Sequence, residues 1–348
     1  MRILVIGASG FVGTKLARKL MVDGQLGEQE ISELTLVDIQ KPEIPVNEES
    51  KIKVNQQKVD MSQEQNVQNL VEESRPDVIF HLAAIVSGEA ESNFDLGYKV
   101  NVDGTRFLLE TIRHKVLSSN GFKPPRMVFT SSLAVYGTPL PKIIPDDYAT
   151  TPRCSYGVQK AICELYLEDY TRKGYADAIS IRYPTIAIRP GKPNKAASSF
   201  ISGIVREPLN GQEAVLPVNL DFRHTVASPR KAVEFLLQAA TLKPENPGDR
   251  TFNVPGVSLT VQEMVEALER VAGKETTALI QHKPDPFIVK IVESWPKEFD
   301  CQKALRLGFL PDASYDDILR AYMKDELGTE SPAKKQKQNI SSSVPLLV

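Results

Sequence analysis

The chain lacks the features that mark several protein classes. Three cysteines, Cys154, Cys163 and Cys301, are spread over 348 residues without the spacing of a metal site. That excludes a disulfide framework, points to no metal, and fits a reducing compartment. The net charge is −2, so no excess of either sign argues for nucleic acid or a membrane surface as partner. No apolar run approaches the ~20 residues of a membrane-spanning helix. The first apolar run starts at Ile3, which leaves no room for a signal peptide, and a cytoplasmic location is expected. What remains, 41% hydrophobic and 25% charged residues, is ordinary for a globular chain with one large or two modest domains.

The informative stretch is the amino terminus. Ile3 to Ile6 is an uninterrupted apolar run, short enough for a parallel strand covered on both faces. Gly7, Gly10 and Gly13 follow. The first two permit a tight turn and close approach to a pyrophosphate, and the third lets a helix pack against the strand. An anion there would meet the free N–H groups of the helix start. The next apolar run, Leu34 to Val37, ends in Asp38, where an acid binds a ribose diol and repels a 2′-phosphate. NAD is therefore favoured over NADP.

Further strands are expected at Ile52 to Val59, Asp77 to His81 and Met127 to Thr130. Asp60 and Met61 would flank an adenine ring, or Asp60 would cap a helix starting near Ser62. Leu82, Ala83 and Ala84 are positioned to let a cofactor cross the sheet. His81 ends an apolar run and is read as a core histidine. Ser87 to Phe94 reads as a loop over the site, and Asp95 to Leu117 as one long helix. Asn101 within that helix carries a propensity penalty, which predicts a backbone or cofactor contact.

Ser131 and Ser132 fall at the carboxyl end of the fifth strand, where open α/β sheets bind ligands. The helix expected from Ser155 to Arg172 carries Tyr156 and Lys160. Positions i and i+4 share a helix face. A neighbouring cation stabilises phenolate, which makes the phenol a general base.

Together these residues identify the chain as similar to the extended short-chain dehydrogenase/reductases, of the NAD-dependent epimerase/dehydratase kind, over residues 1 to about 325. The motifs are Gly7-x-x-Gly10-x-x-Gly13, Asp38, Asp60, His81-Leu-Ala-Ala84, Asn101-x-x-Gly104-Thr105, Thr130-Ser-Ser132 and Tyr156 with Lys160. The resemblance implies a doubly wound parallel α/β sheet of the Rossmann type with a smaller carboxyl-terminal α/β substrate-capping region. It implies catalysis by Tyr156, Lys160 and Ser132, with hydride transfer to or from nicotinamide. The cofactor set it implies is Gly7, Ser9, Gly10, Phe11, Val12, Gly13, Asp38, Asp60, Met61, Leu82, Ala83, Ala84, Asn101, Tyr156, Lys160 and Pro184.

Longer segments, among them Ile85 to Ala90, Phe94 to Tyr98, Pro184-Thr185 and Arg189 to Asn194, resemble a branch that oxidises the C2 hydroxyl of a small sugar acid. A nucleotide-sugar epimerase is the alternative. Two departures weigh against it: Thr185 stands near where those enzymes carry an Asn, and Asp221-Phe-Arg-His224 is followed by Thr225-Val-Ala-Ser228 without the paired acids that those enzymes carry there. A carboxylate needs a cation or several donors. Candidates for the substrate are Ser87, Ser132, Tyr156, Thr185, Arg189, Lys192 and Arg223.

The expected domains are 1–190 for the cofactor and 191–327 for the cap, with a return to the first domain around 220–255 left open. Helices are expected at Ser198 to Arg206, Pro229 to Thr241 and Thr260 to Ala272, the last opened by a Thr260-x-x-Glu263 capping box. The Ser-, Lys- and Gln-rich tail 328–348 should be disordered. Pairing into a homodimer through the two long helices is a family-level expectation.

Overall fold

The computed structural model describes residues 1–47, 49–119, 121–191, 198–245 and 247–329. They form two compact units. The first comprises Met1–Pro184, Lys231–Pro255 and Phe299–Leu310, and the second Thr185–Arg230, Gly256–Glu298 and the chain from Pro311. The chain thus re-enters the first unit twice, at 231–255 and again at 299–310, and the sequence carries no signal of the second return.

In the first unit, strands β1 (Arg2–Ile6), β2 (Glu33–Asp38), β3 (Lys53–Lys58), β4 (Val78–His81), β5 (Arg126–Ser132), β6 (Asp177–Tyr183) and β7 (Thr251–Asn253) make one sheet. Its order is β7-β6-β5-β4-β1-β2-β3, and every neighbouring pair is parallel. Strand order reverses between β1 and β4. The crevice beyond the carboxyl ends at such a reversal is where doubly wound sheets bind ligands. In the centre, Leu4 to Ile6 and Ile79 to Phe80 are fully buried, as parallel strands covered on both faces must be. The edge strand β3, Lys-Val-Asn-Gln-Gln-Lys, is half-exposed and polar, which discourages further strand pairing.

Helix α1 (Phe11–Asp23) stops at Gly24, a left-handed residue that suits a C-cap. Helix α2 (Glu64–Ser74) begins two residues later than expected. The Asp60 carboxylate accepts from Ser62 N–H at 2.9 Å in a side-chain turn, which delays the helix start.

One further expectation needs correcting, and another gains a detail. The stretch read as a loop holds a short helix, α3 (Ser87–Ser92), whose Ala90 packs against Gly97. The expected long helix is present as one continuous run, made of a turn at Phe94–Gly97, a π-helical segment at Tyr98–Asp103, and α4 (Gly104–Ser118). Widening the turn brings Asn101 inward, where its side chain is buried and bonded, and such π segments recur at functional sites. Helix α5 (Ser155–Arg172) completes the layer. Val67, Leu70, Leu108, Ile112 and Leu167 of these helices pack on Leu4, Ile79, Met127 and Phe129 of the sheet.

A buried ion pair ties α5 to the sheet. Arg182 of β6 donates to both carboxylate oxygens of Glu164, at 2.8 and 2.7 Å, and to the Tyr136 hydroxyl at 2.6 Å. Tyr136 donates in turn to Asn253 of β7 at 2.9 Å. One chain of bonds therefore joins α5, β6, β7 and the turn after β5.

The second unit has a small sheet in which 185–186 pairs parallel with 223–227, and 223–227 antiparallel with 257–260. Helices Ser199–Leu209, Val261–Ala272 and Tyr315–Leu327 cover a core that includes Phe200, Ile204, Phe222, Leu259, Met264, Leu268, Leu319 and Met323. The expected capping box is present: Thr260 Oγ1 accepts from Glu263 N–H at 3.2 Å, and Glu263 accepts from Thr260 N–H at 2.6 Å. Beyond Thr329 the tail lies outside the described residues, as does Lys192.

Arg182→Met should cost about 3 kcal/mol or more in urea unfolding, because it leaves the Glu164 carboxylate buried without its cation. A companion Glu164→Leu change should recover most of that loss. Additive destabilisation in the double variant would show that packing, not charge, is what the pair provides.

Candidate active site

The glycine turn leaves no space for side chains. Gly7 has φ +93°, and a Cβ on it would lie 2.6 Å from Ala83 N. A Cβ on Gly13 would lie 2.1 Å from the Gly7 carbonyl oxygen. Gly10 is exposed and serves as the N-cap of α1. No side chain caps this helix and no acid lies in its first turn. The N–H groups around Phe11 and Val12 are thus left open at the positive end of the helix dipole, which fits a pyrophosphate.

The walls of the crevice come from neighbouring strand ends. Gly7 N–H and Ala8 N–H both donate to the Val37 carbonyl, at 2.9 and 3.1 Å. The Asp38 carboxylate accepts from Ser9 N–H at 2.9 Å and Ile39 N–H at 2.7 Å, which holds a half-exposed acid beside the turn. Leu82 and Ala83 both donate to the Ile6 carbonyl, at 2.8 and 3.0 Å. Met61 is buried beneath Gly104, where a Cβ would come 2.9 Å from the Met61 carbonyl oxygen. Small residues, an open helix start and one acid are the donor and acceptor set a dinucleotide requires.

On the other side of β1, Ser132 ends β5 and Tyr156 lies in the first turn of α5. Gly157 brings the two elements together: a Cβ there would lie 2.0 Å from the Ala134 carbonyl oxygen, so only glycine permits the contact. Ser132 Oγ accepts from Ala134 N–H at 3.1 Å, which leaves its hydroxyl proton to donate elsewhere.

Lys160 is only 2% exposed. Its Nζ donates to the Thr130 carbonyl at 2.7 Å and lies 4.5 Å from the Phe129 ring centroid and 5.6 Å from that of Tyr156. Burial lowers its pKa from 10.5 to about 8, against the opposing pull of Cys163 and Glu164. A cation held this close to a phenol favours phenolate.

His81 has the character of a core histidine. Burial, aided by the Lys160 charge, lowers its pKa to about 3, so the ring is neutral. Thr105 donates to the Asn101 carbonyl at 2.7 Å and therefore accepts from His81 Nε2, 2.9 Å away. Asn101 uses both amide hydrogens, one on the Ile85 carbonyl at 3.0 Å and one on Gln159 Oε1 at 2.7 Å, while its Oδ1 accepts from Ile85 N–H at 2.8 Å. It clamps the chain after β4 to α5. Gln159 was not singled out from the sequence. Its only hint is Gly97, where a Cβ would lie 2.6 Å from Gln159 Nε2.

Of the substrate candidates, Ser87 opens α3 in the first unit, and Pro184 is that unit's last residue in the segment. Thr185, Arg189 and Arg223 belong to the second unit. Thr185 Oγ1 is 2.7 Å from His224 Nε2. Arg189 N–H donates to Ser202 Oγ at 3.1 Å, and its carbonyl accepts from Arg206 at 2.9 Å. The Arg223 guanidinium donates to the Ser258 carbonyl at 3.0 Å and pairs with Glu263 at 3.4 Å and Glu298 at 3.5 Å. Among the described residues no three His, Cys, Asp or Glu side chains gather as a metal site, and no helix is long and apolar enough to cross a membrane.

Comparison with known proteins follows this geometry. Residues 3–254 match the NAD dependent epimerase/dehydratase family. The chain is 44% identical to D-erythronate dehydrogenase of Cupriavidus necator over 93% of its own length and 98% of that protein. It is 41% identical to D-erythronate dehydrogenase of Haemophilus influenzae, covering 94% and 100%. Among solved structures, the nucleoside-diphosphate-sugar epimerase from Agrobacterium tumefaciens superposes with a TM-score of 0.90 at 51% identity, covering 94% of this chain and 95% of that one.

The buried ammonium carries a stability cost that can be read directly. Between about pH 8 and pH 10.5 the unfolded chain binds a proton on Lys160 that the folded chain does not, so this group makes stability rise with pH across that window. Lys160→Met should therefore unfold no more easily than the parent at pH 7, with its advantage shrinking toward pH 10.5, while turnover is lost. A gap in urea midpoints that is unfavourable at pH 7 and flat with pH would overturn this reading.

Proposed function

The chain belongs to the NAD dependent epimerase/dehydratase family, and on that premise we propose that it oxidises the C2 hydroxyl of D-erythronate to the 2-keto acid with NAD. The observation that carries the reading is the Tyr156 and Lys160 pair, with its buried ammonium, set by Gly157 against the turn that begins at Ser132. Likeness over nearly the whole chain to two D-erythronate dehydrogenases supports the substrate.

The residues fit NAD. Backbone N–H groups of Gly10 to Val12 would hold the pyrophosphate, with Ser9 and Gly13 shaping the turn. Asp38 would take the adenosine ribose diol, and Asp60 and Met61 would flank the adenine. Leu82, Ala83, Ala84, Asn101, Lys160 and Pro184 would line the nicotinamide half. When bound, the nicotinamide supplies a hydride acceptor.

The chain's own residues manage the proton. Tyr156, as phenolate beside the Lys160 ammonium, takes the proton from the C2 hydroxyl as the C2 hydrogen departs with its electron pair. Ser132 donates its free hydroxyl proton to the substrate oxygen and restrains the charge that develops there. Carboxylate recognition falls to Thr185, Ser87, Arg189 and Lys192, in preference to an Arg223 already neutralised by Glu263 and Glu298. Exposed Leu117 on α4 and Leu165 on α5 support pairing of two copies through those helices. Three free thiols favour the cytoplasm.

A second reading, a nucleotide-sugar epimerase with retained NAD, is favoured by the likeness to the Agrobacterium tumefaciens structure. Thr185 and the absence of paired acids after His224 favour the dehydrogenase.

Mixing the protein and NAD with a panel of four- to six-carbon sugar acids and nucleotide sugars should raise NADH absorbance best with D-erythronate. Isomerisation of a nucleotide sugar without net NADH would instead establish the epimerase. Tyr156→Phe should lower turnover by ~10²-fold or more with NAD affinity nearly unchanged. Retention of more than a few per cent of activity would remove Tyr156 as the base.

A further inference from the structure

Two buried histidines share one arrangement and differ in the fate of one hydrogen. His81 Nε2 lies 2.9 Å from Thr105 Oγ1, and His224 Nε2 lies 2.7 Å from Thr185 Oγ1. In both rings Nδ1 is buried without a partner among the described residues. A proton on that nitrogen would be an orphaned buried donor, which is costlier than an empty lone pair. Each ring therefore carries its proton on Nε2 and donates it to the threonine oxygen. Burial keeps the His224 ring neutral, with its pKa lowered to about 4.

The two threonines then diverge. Thr105 passes its own proton to the Asn101 carbonyl, and that chain is closed. Thr185, half-buried, accepts from His224 and has no further side-chain partner among the described residues. With one lone pair occupied by the imidazole N–H, its hydroxyl proton is turned away from the ring.

The histidine is held for this task. Phe222 stacks on it with centroids 5.8 Å apart, Trp295 lies at 5.5 Å, and Leu259 faces it across the ladder. Neighbouring strand residues point to opposite faces, and Arg223 accordingly turns toward Glu263 and Glu298.

We propose that His224 is a positioning residue for substrate recognition, orienting the Thr185 hydroxyl as a hydrogen-bond donor to the carboxylate of the sugar acid. The inference rests on the sugar-acid reading above. A freely rotating hydroxyl can donate or accept, and so separates a carboxylate poorly from an alcohol. A hydroxyl with one lone pair held by an N–H, and its proton therefore directed away from that ring, favours a group that only accepts, as a carboxylate does. The resulting bond is charge-assisted and its donor is already oriented.

The test uses the full chain with NAD and D-erythronate. Thr185→Val should raise KM for the acid roughly tenfold, with kcat and the KM for NAD within about twofold of the parent. His224→Phe keeps the ring stack but removes the N–H and should raise the same KM in the same direction. His224→Gln restores a donor at similar reach and should recover most of the loss. The double variant His224→Phe with Thr185→Val should be no worse than Thr185→Val alone. Unchanged KM in His224→Phe, additive losses in the double variant, or no rescue by Gln would overturn the proposal.

Nitrogen-15 histidine NMR provides a readout that needs no substrate. A neutral ring protonated on Nε2 at pH 7 is expected, and an Nδ1–H tautomer or an imidazolium would also overturn the proposal. If the parent turns over a different acid of the panel, the variants are read on that acid. Turnover of no acid at all would sink the sugar-acid reading and this inference together, whereas turnover with the variants unaffected would sink this inference alone.

Discussion

The burial of one ammonium group governs the first unit. Lys160 sits inside the protein with one backbone carbonyl among the described residues, that of Thr130, as its hydrogen-bond acceptor, and two aromatic rings beside it. Such a charge is costly unless the surroundings hold it. Helix α5 is locked to the sheet by Arg182 and Glu164, and to the chain after β4 by Asn101 and Gln159. The same burial pulls the Lys160 pKa down to about 8. Stability is traded for a charge placed where a phenol can use it.

Close backbone approach is the second constraint. Gly7, Gly13 and Gly157 each stand where a Cβ would overlap a backbone atom. The first two pack the turn, α1 and the chain after β4 into a cradle. The third seats the start of α5 on the turn after Ser132. The glycine turn and the seating of Tyr156 and Lys160 are thus built by one device, the removal of side chains at backbone crossings.

Much of this was legible beforehand, and the reasons are local. The apolar run from Ile3 to Ile6, the glycine spacing, the acid at Asp38 and the i,i+4 pair of Tyr156 and Lys160 are each contained within one element and its cap. Sequence periodicity reports such features directly. The helix at Ser87–Ser92 and the π segment around Asn101 were not legible, because each is decided by a partner elsewhere in the chain. Ala90 finds Gly97, and Asn101 finds Ile85 and Gln159. Gln159 reads in sequence as an ordinary helix residue, and His224 as one polar residue in a mixed strand. Their roles rest on partners dozens of positions away.

By itself, then, the sequence determined the strand-turn-helix at the amino terminus, the alternation that makes a parallel sheet, and the types of residue available for dinucleotide binding and proton transfer. These follow from side-chain volume, backbone freedom and helical spacing, all short-range properties. Tertiary structure alone decided which polar groups lose their water. That loss makes Lys160 a buried cation, keeps His81 and His224 neutral, and leaves Thr105 in a closed chain while Thr185 stays open. Desolvation and hydrogen-bond direction depend on everything packed around a group, and no local pattern contains them.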